Sequence, residues 1–297
     1  MHHEQLDIDI HTARQLVHSQ FPQYRNDEVV RVESSGTDNH IFRIGSKLVA
    51  RFPIRGTDVD LCLKRLRSEV SAMRELHRVC PFPTSQPIGL GQPSAFYPMP
   101  WAIQTWIEGE VATPTIVSGS TAFAYDLVHL VSALRQADVA GRVFDGSGRG
   151  GSIAGHDAWM EECLVKSEGH LDVILLRKMW AKFRELPASG PDVMSHRDLT
   201  PANLLIDADR IVGVLDGGSF GPADRSLDYV VAWHLLDDER REVFRNALQI
   251  DELDWKRGAA WAFQQAMGLV WYYHTSNPAM SALGHSTISR LLCASPV

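Results

Sequence analysis

The chain has 297 residues, 44% hydrophobic and 22% charged, enough to bury a large core in one domain or two lobes. Its formal charge of −7 argues against nucleic acid or an anionic membrane as the main partner, and is compatible with a cationic ligand. The scattered cysteines and histidines show no zinc-ligand spacing, and neither a secretory signal nor a membrane span of roughly 18 apolar residues is visible; free thiols in a reducing cytoplasm fit this pattern.

Residues 10–20 read as a short helix, followed by a glycine-containing turn, Ser34 to Asn39. Two short strands, 41–44 and 48–52, meet around Gly45-Ser46, the spacing of a tight hairpin. Residues 59–79 then switch to helical period, with Leu63, Leu66, Val70, Met73 and Leu76 on one stripe. Cys80-Pro81-Phe82-Pro83 ends that helix, and a Pro- and Gly-rich passage leads to a strand at 101–107. Residues 1–107 thus read as a small β-sheet lobe carrying one major helix, and residues 108–297 as a larger, mainly helical lobe. The expected helical stretches there are 118–137, 156–183, 226–247 and 254–275, with a β-hairpin at 204–206 and 211–215. Between the first two lies a glycine-rich stretch, 141–155, which suits either a plain mobile loop or a flap over an acceptor.

The strongest chemical signal is Ser195-His196-Arg197-Asp198-Leu199-Thr200-Pro201-Ala202-Asn203, then the hairpin, then Asp216-Gly217-Gly218. Phosphoryl transfer needs held phosphates, neutralised charge and an attacking hydroxyl aimed in line, and little covalent help. Magnesium takes hard oxygen ligands, which Asn203 and Asp216 offer, and Asp198 suits the hydroxyl proton. The string H-R-D-L-x-x-x-N is the catalytic-loop signature of protein kinases, whereas no P-loop motif is present.

Pro201 and the segment after it instead resemble the aminoglycoside phosphotransferase family, whose loop reads H-x-D-L-x-P-x-N. Gly36-Thr37-Asp38-Asn39 with Phe42-Arg43-Ile44-Gly45 looks like that family's nucleotide-covering turn, and Tyr97 to Trp101 running into Trp106-Ile107-Glu108-Gly109 like its hinge. Asp216 through Val230 looks like its metal loop and the helix after it. The resemblance implies an α+β, bilobal protein-kinase-like fold, with a small antiparallel β-sheet N-lobe, a larger helical C-lobe, nucleotide between them and acceptor on the helical side. It implies Asp198 as catalytic aspartate, Asn203 and Asp216 as Mg2+ ligands, and ATP or GTP as phosphate donor. Nucleotide contacts fall on Ser35 and Thr37 in the turn and on the Thr105–Ile107 backbone, with Glu69 pairing a phosphate-binding cation. That cation is ordinarily lysine; here Arg51 is favoured, and Lys47, of the same strand parity, stays open. Asp216-Gly217-Gly218 also departs from the protein-kinase D-F-G in lacking a bulky middle residue.

Other residues carry plainer expectations. His196 reads as a brace of the catalytic loop, Asp228 as a cap or brace, and Asp237-Asp238-Glu239 as a solvated helix end. Trp261, Phe263 and the run Trp271-Tyr272-Tyr273 read as core. The leading expectation is a small-molecule kinase with an aminoglycoside hydroxyl as acceptor. A macrolide, or a metabolite such as a sugar or amino alcohol, is the alternative acceptor, and a nucleotide-binding sensor without catalysis is the alternative class. A protein kinase ranks last, because the chain after Asp216 leaves little room for an activation loop.

Overall fold

Residues 5–32, 38–294 and 296–297 are described by the computed structural model, and they divide into two units. The first comprises Met1–Arg78, Pro83–Glu108 and Asp216–Gly218; the second comprises Val79–Phe82, Gly109–Leu215 and Ser219–Val297.

In the first unit Asp9 caps helix α1 (Ile10–Gln20), its carboxylate accepting from the Thr12 N–H at 2.7 Å. Strands β1 (Val29–Val32), β2 (Asn39–Ile44), β3 (Leu48–Pro53), β4 (Pro87–Gly91) and β5 (Trp101–Thr105) form an antiparallel sheet in the order β1-β2-β3-β5-β4. The expected hairpin is β2–β3, paired from Asn39↔Pro53 to Ile44↔Leu48. The outer strands β1 and β4 are additions to the sequence reading. Proline and glycine hide β4 in the sequence, and its edge position tolerates both. Phe52 of β3 stacks on Trp101 of β5, ring centroids 4.5 Å apart, and meets Phe42 and Tyr97 edge-on. Such geometry adds about 0.5–1.5 kcal/mol per pair to the burial of the rings. Helix α2 (Val59–Val79) buries Cys62, Leu66, Met73 and Leu76, while Leu63 and Val70 lie half-buried.

The second unit holds a three-stranded sheet, β6 (Glu110–Val111), β8 (Leu204–Asp207) and β9 (Arg210–Val214), in the order β6-β8-β9. A separate pair joins β7 (Val193–Ser195) to β10 (Gly221–Ala223). Helices α3 (Pro114–Val117) and α4 (Thr121–Gln136) precede the glycine-rich stretch. The expected helix 156–183 is two, α5 (Asp157–Lys166) and α6 (Val173–Phe183), because Asp172 starts a new one by accepting from the Leu175 N–H. The stretch 226–247 likewise divides into α7 (Val230–Leu235) and α8 (Asp238–Ala247), since Asp237 caps the second. Helix α9 (Glu252–Tyr272) buries Trp261, Phe263 and Met267, and packs against α10 (Pro278–Ala294), which the sequence reading did not reach. Trp271 and Tyr273 are half-buried and Tyr272 is exposed, so the core ends before that aromatic run. No helix of the described residues is long and apolar enough to cross a membrane.

Two buried polar networks stiffen this unit. Asp224 accepts from Arg257 and from the Trp261 indole, and Arg257 also donates to the Pro187 carbonyl at 2.6 Å. His234, fully buried on α7, donates from Nε2 to Gln265 Oε1 at 3.1 Å and accepts at Nδ1 from the Thr287 hydroxyl at 2.9 Å. That arrangement satisfies the neutral ring, and burial pushes its pKa from 6.5 down to about 4. Because the unfolded chain takes up this proton first, stability should be complete above pH 6.5 and fall as the pH drops toward 4. Denaturant unfolding over that range should show a loss of up to about 3 kcal/mol from this group, and His234→Gln should flatten the slope. An identical pH slope in the variant would refute the assignment.

Candidate functional site

The H-R-D loop begins where β7 ends. Asp228 is buried beneath it and accepts from Ser195 Oγ at 2.8 Å and from the His196 N–H at 3.0 Å. Burial pushes the Asp228 carboxyl up, while His196, Ser195 and the loop amides pull against that shift. His196 is fully buried and donates from Nε2 to the Leu215 carbonyl at 2.9 Å, tying the loop to the end of β9. Both residues are braces. Arg197 occupies the left-handed region at φ 68, a conformation costing a β-carbon-bearing residue roughly 1–2 kcal/mol. Its guanidinium offsets that cost by pairing with Asp145 at 2.9 Å, bonding the Ser147 carbonyl and lying 4.9 Å from the Phe144 ring centroid.

Arg197 thereby turns Asp198 outward, with its side chain 37% exposed. Asn203 donates from Nδ2 to the Asp198 carbonyl at 2.8 Å and to Asp198 Oδ2 at 3.1 Å. That commits the amide nitrogen and leaves Asn203 Oδ1 as the atom available to a ligand. The other carboxylate oxygen, Oδ1, receives Arg149 Nη1 at 3.0 Å. Arg149 was not singled out in the sequence; its one signal there is a cation enclosed by glycines, Gly148-Arg149-Gly150-Gly151.

In the first unit, Arg51 of β3 pairs through Nη1 with Asp216 Oδ1 at 3.0 Å. Lys47 lies exposed in the β2–β3 turn, off the strand, so Arg51 is the cation that the sheet presents here. Glu69 of α2 pairs with Arg65 at 3.3 Å. Burial pushes its carboxyl up, against Arg65 and then Arg51, so the arginine acts on it through space. Thr105 is engaged by Gln86: its N–H donates to the Gln86 carbonyl and its side-chain hydroxyl accepts from the Gln86 N–H. The Trp106 N–H donates to Lys47 O, whereas among the described residues the Ile107 N–H has no protein acceptor. Ser35 and Thr37 lie outside the described residues.

Asp216 has φ 55, and the two glycines after it lie against α2. A β-carbon on Gly217 would stand 2.4 Å from Leu76 Cδ2, and one on Gly218 would stand 3.0 Å from Glu69 Cγ. This contact is why the loop carries no bulky residue after its aspartate.

Residues 29–261, from β1 into α9, match the model of the phosphotransferase enzyme family. The chain belongs to that family. An aminoglycoside 3'-phosphotransferase of Escherichia coli is 39% identical over 62 residues, which are 20% of this chain and 23% of that enzyme. The chain thus spans less than a quarter of the length of that curated relative. Among solved structures, the GDP complex of aminoglycoside 2'-phosphotransferase-IIIa superposes with a TM-score of 0.69 at 13% identity, covering 97% of this chain and 100% of that one. Macrolide 2'-phosphotransferase MphH from Brachybacterium faecium gives 0.58 at 17% identity, covering 87% and 91%. At these identities the likeness is one of fold, an antiparallel sheet unit and a mainly helical unit as the family resemblance implied. The family match takes in Arg51, Glu69, Asp198, Asn203 and Asp216, while α1 and α10 fall outside it.

In this family member the contact of Gly217 with Leu76 makes a specific stability prediction. Gly217→Val should cost about 1–3 kcal/mol through overpacking. Urea unfolding of a double-mutant cycle with Leu76→Ala should show that cost shrinking once the leucine is removed. Strict additivity would refute the contact.

Proposed function

We propose that this family member transfers the γ-phosphate of a nucleoside triphosphate to a hydroxyl of a small molecule, with an aminoglycoside as the acceptor class. The observation that carries the reading is Asp198, an outward-facing carboxylate held at Oδ2 by Asn203 within a loop braced by buried His196 and Asp228. A carboxylate fixed in this way suits a general base, which must meet the acceptor hydroxyl at hydrogen-bond distance. The aminoglycoside class rests on the matched relative and on the chain's net negative charge, which favours a polycation.

The donor is assigned as ATP or GTP. The Ile107 N–H, which has no acceptor among the described residues, is offered to the purine, and the Arg51 fork, which recognises planar oxyanions bidentately, to the phosphates. Ser35 and Thr37 are assigned to the nucleotide by the family pattern alone. Glu69 is assigned to the orientation of Arg51.

Magnesium fits the donor set: the Asn203 amide presents its oxygen, and Asp216 is a partly exposed carboxylate. When bound, the ion would supply charge neutralisation for the phosphates. By the family pattern Asn203 and Asp216 would hold the ion, and Asp198 would accept the acceptor's proton. With no helix among the described residues long and apolar enough to cross a membrane, and all four cysteines free, the cytoplasm is the proposed compartment.

The test is donor consumption with ATP and with GTP across aminoglycosides, macrolides and simple amino alcohols. Asp198→Ala should fold normally and lose roughly 10²–10⁴-fold in turnover, the scale of general-base assistance. Near-wild-type turnover would remove Asp198 from its role, and stimulation by macrolides alone would reassign the acceptor. Asp216→Ala should weaken magnesium-dependent nucleotide binding measured by calorimetry; unchanged binding would refute its assignment. Tight nucleotide binding without turnover on any acceptor would favour a sensor.

A further inference from the structure

The glycine-rich stretch is built, and what it builds toward is Asp198. Phe144 donates its backbone N–H to Asp192 Oδ2 at 2.7 Å. Asp145 and the Ser147 carbonyl grip Arg197, whose guanidinium also covers the Phe144 ring. Gly150 accepts from the Asp224 N–H at 2.6 Å, and so leans on the residue that receives Arg257 and Trp261. Only glycine fits there: φ is 118, and a β-carbon would stand 2.6 Å from that of Ala223. Between these anchors, Arg149 meets Asp198 Oδ1 with its side chain 34% exposed.

An ion pair so exposed adds little to stability, too little to account for a loop fixed at three points. The same anchoring is what a positioned group requires, because the entropy of holding the guanidinium is spent on folding, before any substrate arrives. We propose that Arg149 is a positioning residue for Asp198, the loop holding its guanidinium on Oδ1 so that the carboxylate keeps one rotamer. The inference rests on the reading of Asp198 as the base for the acceptor hydroxyl.

In the step, the acceptor O–H breaks and its proton passes to Asp198. The acceptor oxygen forms a bond to the γ-phosphorus, whose bond to the bridging oxygen breaks, the electron pair leaving on the nucleoside diphosphate. Arg149 takes no part in these bond changes. With a largely dissociative transition state, the position of the base matters more than its strength.

Wild type, Arg149→Ala and Arg149→Lys would be compared with magnesium-ATP or magnesium-GTP, using kanamycin as the probe acceptor and water in its absence. The alanine variant should lose about 10–100-fold in kcat, the scale of an ångström-sized misplacement. Its KM for nucleotide should stay within about twofold, since the nucleotide contacts are untouched. Low millimolar guanidinium should restore part of the loss, and lysine, lacking the fork, should restore little. Equal kcat in Arg149→Ala and wild type, or a loss that follows thermal stability without guanidinium rescue, would overturn the proposal. Without substrate, NMR of the arginine side chains should show one slowly rotating guanidinium that vanishes in both Arg149→Ala and Asp198→Asn. Its absence from wild type would overturn the proposal even if no acceptor is turned over, whereas failure of turnover alone would count against the function reading.

Discussion

Everything chemical in the second unit hangs from a carboxylate that does no chemistry. Asp228 is buried under the turn between β7 and the H-R-D loop, and the Ser195 hydroxyl and His196 amide both donate to it. A buried carboxylate with too few donors would cost several kcal/mol, so the loop is held to the one path that supplies them. That path puts Arg197 in the left-handed region and points Asp198 outward. His196 then ties the loop to Leu215, the residue before Asp216. One brace therefore sets the backbone on which the assigned base is displayed and fixes the chain just before an assigned metal ligand.

The loop was legible in the sequence because its parts are contiguous and their order has chemical meaning. Asp198 and Asn203 fall five residues apart across a tight turn, so local backbone geometry alone brings the amide onto the carboxylate. The β2–β3 hairpin and α2 were legible for a similar reason, since their pairing and periodicity are short-range. The edge strand β4 was not, because proline and glycine are poor strand signals and only an edge position admits them. The long apolar stretches 156–183 and 226–247 concealed breaks at Asp172 and Asp237, where a capping carboxylate competes with helix continuation.

Arg149 was hidden by distance. It precedes Asp198 by 49 residues, and nothing local in a run of glycines announces which side chain will be aimed. Its placement depends on the Asp224–Arg257–Trp261 network, whose members are themselves spread from residue 224 to residue 261. Lys47 shows the opposite failure. Strand parity placed it beside Arg51, but the hairpin turn runs on through Lys47 before β3 begins at Leu48, leaving Lys47 in solvent.

The two units share a physical device. In each, a carboxylate assigned to chemistry is partly exposed and meets an arginine at 3.0 Å: Asp216 with Arg51 in the first unit, and Asp198 with Arg149 in the second. A bare carboxylate in such a position would repel a polyphosphate, and a lysine partner would offer one compact charge to be contested between two anions. At Arg51 the guanidinium, with five donors in a plane, can keep one hydrogen bond to Asp216 while turning others toward an oxyanion. Where the family resemblance implies a strand lysine, an arginine at position 51 would change the geometry of the charge and leave its amount the same.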